Sequence, residues 1–409
     1  METRIERIEK DIETIGSLTA TPGSGITRFT FSKEYVQARS HIMEELKKIN
    51  ARISTTFGGN LRGRFEGSEN AKPAVMMGSH LDSVLHGGKV DGVAGVVSAL
   101  EAARVIVEEK VPHRYPIDVV VFAEEEGSRF GSGTIGARAW VGKLGPNDLR
   151  QLKDNDGISY HEAMERSDIF PDDPSVLKGE DVKAMIELHI EQSIVLEKRG
   201  LRIGIVEGIA GIKSFLVTIH GVSNHAGGTP MGLRYDALQG AVRIIAAVEE
   251  LAARKLGENT VATIGYVICE PGQFNIIPGR VRFSLDIRDS DATTLSEAVK
   301  RITVEIERTC RDRGLAFEIA PKSDIPPVVL SGDISSLLEK LAREKGINPL
   351  RMTSGALHDS SIIAKIADVG MIFVPSKEGR SHCPEEFTDL NDIKLGADIL
   401  LDAVVQLSY

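Results

Sequence analysis

The stretch PIDVVVFAEEEGSRFG, residues 116–131, joins two patterns that conflict. Ile117 to Ala123 is a near-continuous apolar, β-branched run, and reads as a strand buried on both faces. It stops at three adjacent carboxylates, Glu124, Glu125 and Glu126, followed by a glycine. Strands covered on both faces belong to mostly parallel sheets, and such sheets gather ligands beyond their carboxyl ends. Like charges this close raise one another's pKa unless a cation compensates. The run therefore predicts an α/β fold and marks a strand end as a candidate site.

The flanking sequence repeats the pattern. PAVMMGSH (73–80) and AMIELHI (184–190) read as strands, and AGVVSALEAARVIVEEK (94–110) has helical periodicity. The middle differs. IKSFLVTIHG (212–221) is a strand, 235–255 a helix, and NTVATIGYVI (259–268) and RVRFSLDIRD (280–289) are strands. Leu295, Val299, Ile302 and Ile306 form a helical stripe before the strand AFEIA (316–320). This β-α-β-β-α-β order is the split βαβ, ferredoxin-like pattern. The expected fold class is α/β: a mostly parallel-containing sheet domain over 1–211 and 328–409, with an inserted α+β domain over 212–327. Helices near 333–345 and 391–407 and a strand MIFVP (371–375) return the chain to the first domain.

Bulk properties exclude several classes. The 409 residues suit two domains, and 42% hydrophobic residues allow substantial cores. A net charge of −10 argues against nucleic acid or an anionic membrane as partner. No apolar run reaches transmembrane length, and METRIERIEKDIETIG (1–16) is amphipathic, without a signal peptide's apolar region. The three cysteines, Cys269, Cys310 and Cys383, are too few and too scattered for a disulfide framework, which points to the cytoplasm.

Four further polar clusters lie at or beside strand ends. GSHLDS supplies His80 and Asp82, GGKVDGVAG supplies Asp91, ELHIEQ supplies His189 and Gln192, and SHCPEE supplies His382. Taken singly, an acidic triplet is usually a solvated turn, a lone histidine a hydrogen-bonded structural residue, and Asp-Gly a common turn dipeptide. Together they shift the balance toward metal. Imidazole with carboxylate suits zinc, manganese, cobalt or nickel. Carboxylates from separate strands can hold two metals ~3.5–4 Å apart with one bridging carboxylate. Asp91, at a helix start and followed by glycine, is the natural bridge.

GSHLDSVLHGGKVDGVAG, AEEEGSRF, ELHIEQ, GVSNHAGGTPM, FNIIPG, LDIR and SHCPEE together resemble the amidase/hydantoinase/carbamoylase branch of the M20 dinuclear metallopeptidase family. The motifs run through nearly the whole chain in the family's order. The resemblance implies a sheet domain like that of dinuclear zinc aminopeptidases and a lid and dimerisation role for the inserted domain. It implies two divalent metals per subunit, held by His80, Asp91, Glu126, His189 and His382, with Asp82 orienting His80. Glu125 would be the general base, and Glu124, without a role, solvent-facing or behind the ligands. His225 would stabilise the oxyanion, Asn275 and Arg288 would clamp the substrate carboxylate, and Gln192 and Gly355 would complete the substrate contacts. It also implies a homodimer. Arg288 has a plainer reading, an exposed strand residue paired with Asp286 or Asp289, and His225 one as a turn residue.

Two departures stand out. SGALHDS (354–360) has Leu357 where the branch commonly has glycine, while His358 and Asp359 are kept, and Ser193 replaces a frequent glycine. Leu357 would narrow or reshape the pocket. The expected activity is hydrolysis of an N-carbamoyl-L-amino acid to the amino acid, CO2 and ammonia, without a nucleophilic cysteine at Cys383. The alternatives are allantoate amidohydrolase, N-acyl-L-amino-acid deacylase, and a metal-free amino-acid-binding relic.

Overall fold

The computed structural model describes residues 1–69, 73–254, 256–257 and 259–409. They divide into two compact units, Met1–Glu207 with Val329–Tyr409, and Gly208–Val328.

The first unit is organised by a nine-stranded mixed sheet among the described residues. Its centre is four neighbouring parallel strands in the order Ile117–Phe122, Ala74–His80, Val182–Ile190 and Asp368–Val374. Every residue of the first two is buried, as their unbroken apolar runs require. Antiparallel strands flank this centre, Leu61–Phe65 on one side and Gly204–Ile209 on the other. The helix Val93–Glu108 packs on the sheet with almost every residue buried. A β-carbon at Gly95 would lie 2.3 Å from the Leu188 carbonyl, so this helix approaches as closely as glycine permits. The last helix, Leu390–Ser408, does the same at Gly396, 2.4 Å from Leu188 Cδ1. The amphipathic N-terminus forms the helix Ile5–Gly16 and buries Ile8, Ile12 and Ile15.

The second unit has an antiparallel sheet in the order Val267–Glu270, Arg280–Asp289, Gly211–His220 and Ala316–Ile325. The helices Ala237–Arg254 and Ala292–Arg313 complete the β-α-β-β-α-β order. Both bury an apolar stripe in one core with Val217, Phe283 and Ile287. Lys255, where the expected helix ended, lies outside the described residues. The strand expected over 259–268 is broken into Val261–Thr263 and Val267–Glu270, both paired with Arg280–Asp289. Thr263 opposes Asp286 and Val267 opposes Phe283, so one strand carries one extra residue. That is a bulge, and Gly265 within it bonds through its N–H to the Ser284 hydroxyl at 3.2 Å. No described helix is long and apolar enough to cross a membrane.

Candidate metal centre

The four central strands deliver their polar residues at one end of the sheet. His80 closes its strand, His189 is the penultimate residue of Val182–Ile190, and the glutamate run begins two residues after Phe122. Asp91 lies in the loop before the helix Val93–Glu108, and His382 in the loop after Asp368–Val374. The backbone is strained here. Glu124, Gln192 and His382 adopt φ of 55°, 56° and 57°, a left-handed conformation that side chains with a β-carbon rarely hold.

Two donor sets share Asp91: His80, Asp91 and His189, and Asp91, Glu126 and His382, each with ligand atoms within 4.8 Å of one another. Asp91 Oδ1 lies 3.5 Å from His80 Nε2 and 3.2 Å from His189 Nε2. Asp91 Oδ2 lies 3.4 Å from His382 Nε2, and Glu126 Oε1 is also 3.4 Å from that nitrogen. The ring orientations are set from behind. His80 Nδ1 meets the Asp82 carbonyl at 3.0 Å, and His189 Nδ1 meets the Ile190 carbonyl at 2.9 Å. Each Nδ1–H therefore donates to a carbonyl, and each Nε2 faces Asp91. His189 Nε2 is buried without a hydrogen-bond partner, an arrangement that fits a cation. Burial pushes the Glu126 carboxyl up to about 8 and the Glu125 carboxyl well above its ordinary value, the mark of acids crowded where a positive charge belongs. A third cluster, Glu187, His189 and His358, shares His189. The Glu187 carboxylate is already engaged by the Ser79 and Ser360 hydroxyls.

The supports differ from expectation in instructive ways. Asp82 meets His80 through its carbonyl, while its carboxylate stands 3.8 Å from the ring. That carboxylate instead accepts the N–H groups of Glu125 at 3.2 Å and Glu126 at 3.0 Å, fixing the glutamate run to the strand that ends in His80. Glu124 is not solvent-facing. It is fully buried, its Oε1 accepts from the N–H groups of Arg129 and Phe130, and burial raises its carboxyl to about 7. Three supports carried no role in the sequence reading. The Thr30 hydroxyl accepts the Glu124 N–H at 3.1 Å, buried Arg28 donates to the Leu81 carbonyl at 2.7 Å, and Glu386 bonds the loops of Asp91 and His382. Glu386 stood in the quoted SHCPEE motif, whereas nothing local flags Thr30 or Arg28.

Gln192 Nε2 donates to Asp91 Oδ2 at 2.7 Å, and its Oε1 is buried without a partner. Gly355 is exposed. Half-buried Leu357 has its Cδ2 3.8 Å from where a β-carbon on Gly133 would sit, and Thr134 beside Gly133 bonds the Glu125 carbonyl. Leu357 thus lies against the loop that carries the glutamates. Cys383 is a free, half-buried thiol.

In the second unit, His225 and Asn275 are neighbours. His225 pairs with Ile276 in a short antiparallel ribbon, and the Ala226 N–H bonds the Asn275 carbonyl at 2.9 Å. His225 Nδ1 accepts from the N–H groups of Gly227 and Gly228 at 3.1 and 2.9 Å, which leaves the proton on Nε2. Arg288 lies elsewhere. It pairs with Ile212 at one end of a strand whose other end, Arg280, follows the ribbon. At ~3.3 Å per residue, Arg280 to Arg288 spans about 26 Å. Arg288 Nε also donates to Asp286 at 2.8 Å, as the plainer reading held.

Residues 76–406 match the profile of Peptidase family M20/M25/M40, and the chain belongs to that family of hydrolases. The chain is 38% identical to the N-carbamoyl-L-amino-acid amidohydrolase of Paenarthrobacter aurescens, across 97% of this chain and 96% of that protein. It is 33% identical to the allantoate amidohydrolase of Escherichia coli (strain K12), across 99% and 98%. A crystal structure of an amidase of the hydantoinase/carbamoylase family from Burkholderia multivorans superposes with a TM-score of 0.94 at 30% identity, covering 100% of this chain and 98% of that one. Hydrolytic relatives of full length set aside the binding relic. Enzymes of the family are generally metal-dependent.

Proposed function

We propose that the chain is a metal-dependent amidohydrolase that cleaves the linear C–N bond of an N-carbamoyl-L-amino acid, releasing the L-amino acid, CO2 and ammonia. The observation that carries the reaction class is Asp91, whose two oxygens face two separate histidine-containing donor sets. In this reading His80, His189 and Asp91 hold one divalent ion, and Asp91, Glu126 and His382 the other, with zinc, manganese, cobalt or nickel suiting the donors. When bound, such ions polarise a carbonyl and lower the pKa of a water toward neutrality.

The chain's own groups do the rest. Glu125, with Oε2 3.8 Å from His80 Nε2, takes a proton from the attacking water and passes it to the leaving nitrogen. The orphan Oε1 of Gln192 accepts a ureido N–H. His225 donates its Nε2–H to the developing oxyanion. Arg288 and Asn275 hold the substrate carboxylate, where the planar guanidinium offers two parallel hydrogen bonds. Gly355 completes the substrate contacts. The strand length that separates Arg288 from Asn275 supports a shared site: Arg288 from one subunit, and His225 and Asn275 from the partner subunit of a homodimer. The inserted unit then serves as lid and dimerisation domain, and free cysteines suit a cytoplasmic enzyme.

Allantoate hydrolysis is the second reading, favoured by the Escherichia coli relative. The test is a panel of N-carbamoyl-L-methionine, allantoate and N-acetyl-L-methionine on metal-reconstituted protein. Methionine and ammonia from the first support the proposal. Turnover of allantoate alone overturns it in favour of the rival.

A further inference from the structure

Glu386 sits four residues beyond His382, buried, with its carboxylate oxygens occupied by donors from its own loop and from the distant loop of Asp91. Oε1 accepts the N–H groups of Val90 and Asp91, each at 3.0 Å, across a separation of 296 and 295 residues. Oε2 accepts the Ser381 hydroxyl at 2.7 Å and the His382 N–H at 3.3 Å. Ser381 Oγ also lies 2.9 Å from Asp91 Oδ2. Space for the carboxylate exists only because residue 88 is glycine, since a β-carbon there would fall 2.0 Å from Oε1.

We infer that Glu386 is a positioning residue, a clasp that sets Asp91 and His382 at their 3.4 Å spacing and so builds one half of the metal centre. This rests on the metal reading above. The chemistry requires a carboxylate. Three backbone N–H groups and one hydroxyl converge on it, so an amide in its place would turn an N–H₂ against at least one N–H. The clasp also holds His382 in its left-handed conformation, which an unrestrained histidine would leave. Asp91 serves the other half too, but there His80 and His189 stand on paired strands of the sheet and hold their places without Glu386. Glu386 should therefore matter more to the cation at Asp91, Glu126 and His382 than to the other. The adjacent Glu385 is exposed and forms an ion pair with Arg380 at 3.3 Å, so it makes a fair control.

The test is calorimetric titration of metal-stripped full-length protein with Zn²⁺ and with Mn²⁺, for wild type, Glu386→Gln, Glu386→Asp and Glu385→Gln, alongside thermal unfolding of each stripped protein. Glu386→Gln is expected to weaken one binding step by ~10–100-fold and the other by distinctly less. It should lower kcat with KM little changed, Glu386→Asp should recover part of the lost step, and Glu385→Gln should match wild type. Two steps weakened equally, together with a lower Tm, would show that Glu386 only stabilises the fold. Two unweakened steps would overturn the clasp outright. A wild-type chain that takes up no cation would overturn the metal centre itself, and the clasp with it.

Discussion

Gly92 lies directly beneath the imidazole of His80: a β-carbon on Gly92 would sit 2.5 Å from the ring's Nδ1 and Cε1. Residue 92 also has a φ of 66°, in the left-handed region. A methyl group here must push the ring off its Asp82 carbonyl or change the loop that carries Asp91. Gly92→Ala is therefore expected to reduce divalent-metal affinity by ~10–100-fold, because it disturbs ligand orientation and leaves every donor in place. Metal titration checks this, with circular dichroism confirming that the sheet survives. Unchanged affinity would mean the ring tilts aside without loss.

In the proposed mechanism Glu125 and Glu126, though adjacent, divide in role. Glu125→Gln should lower kcat by ~10²–10⁴-fold, the range expected for loss of a general base, with metal content intact. Glu126→Gln should lose metal. Metal analysis and steady-state rates on the same preparations decide. Metal loss from Glu125→Gln would show that the two assignments are exchanged.

If Arg288 and His225 serve one substrate from different subunits, inactive variants should rescue each other. Mixing Arg288→Ala and His225→Ala chains after dissociation, then reassociating them, should restore about a quarter of wild-type sites by random pairing in a two-fold dimer. In each mixed dimer one site carries both lesions and the other neither. No recovery in mixtures shown by mass measurement to contain mixed dimers would place all three residues in one chain's site.

Leu357 lies against the glutamate loop. Leu357→Gly should open the pocket and raise kcat/KM for allantoate relative to N-carbamoyl-L-methionine by ~10-fold or more, in the range by which apolar pocket contacts discriminate. An unchanged ratio would place Leu357 outside the specificity surface.

Much of the architecture was legible because it rests on local periodicity. The runs ending at His80, Phe122 and Ile190 are buried on both faces, and burial on both faces shows in sequence as unbroken apolar stretches. The bulge around Gly265 was not legible, since a single extra residue leaves the alternation almost intact. The ligand-type residues could be picked out because most of them lie at the end of a strand or in the loop beyond one. What the residues could not give were statements that depend on tertiary distance. Nothing in AEEEGSRF says that Glu124 turns inward to cap Arg129 and Phe130. Nothing in FNIIPG or LDIR says that a full strand length parts Asn275 from Arg288. Arg28 and Thr30 lie upstream of residues 76–406, the span that matches the family profile, so the motifs gave no reason to look there.

The first unit is discontinuous: Met1–Glu207 waits for Val329–Tyr409, and one of the four central parallel strands, Asp368–Val374, comes from that second piece together with His382 and Glu386. During synthesis the ribosome therefore releases His80, Asp91 and His189 long before the segment that completes their sheet. The intervening unit, by contrast, has a core contiguous in sequence, so all of it has emerged before the last parallel strand of the first unit is made.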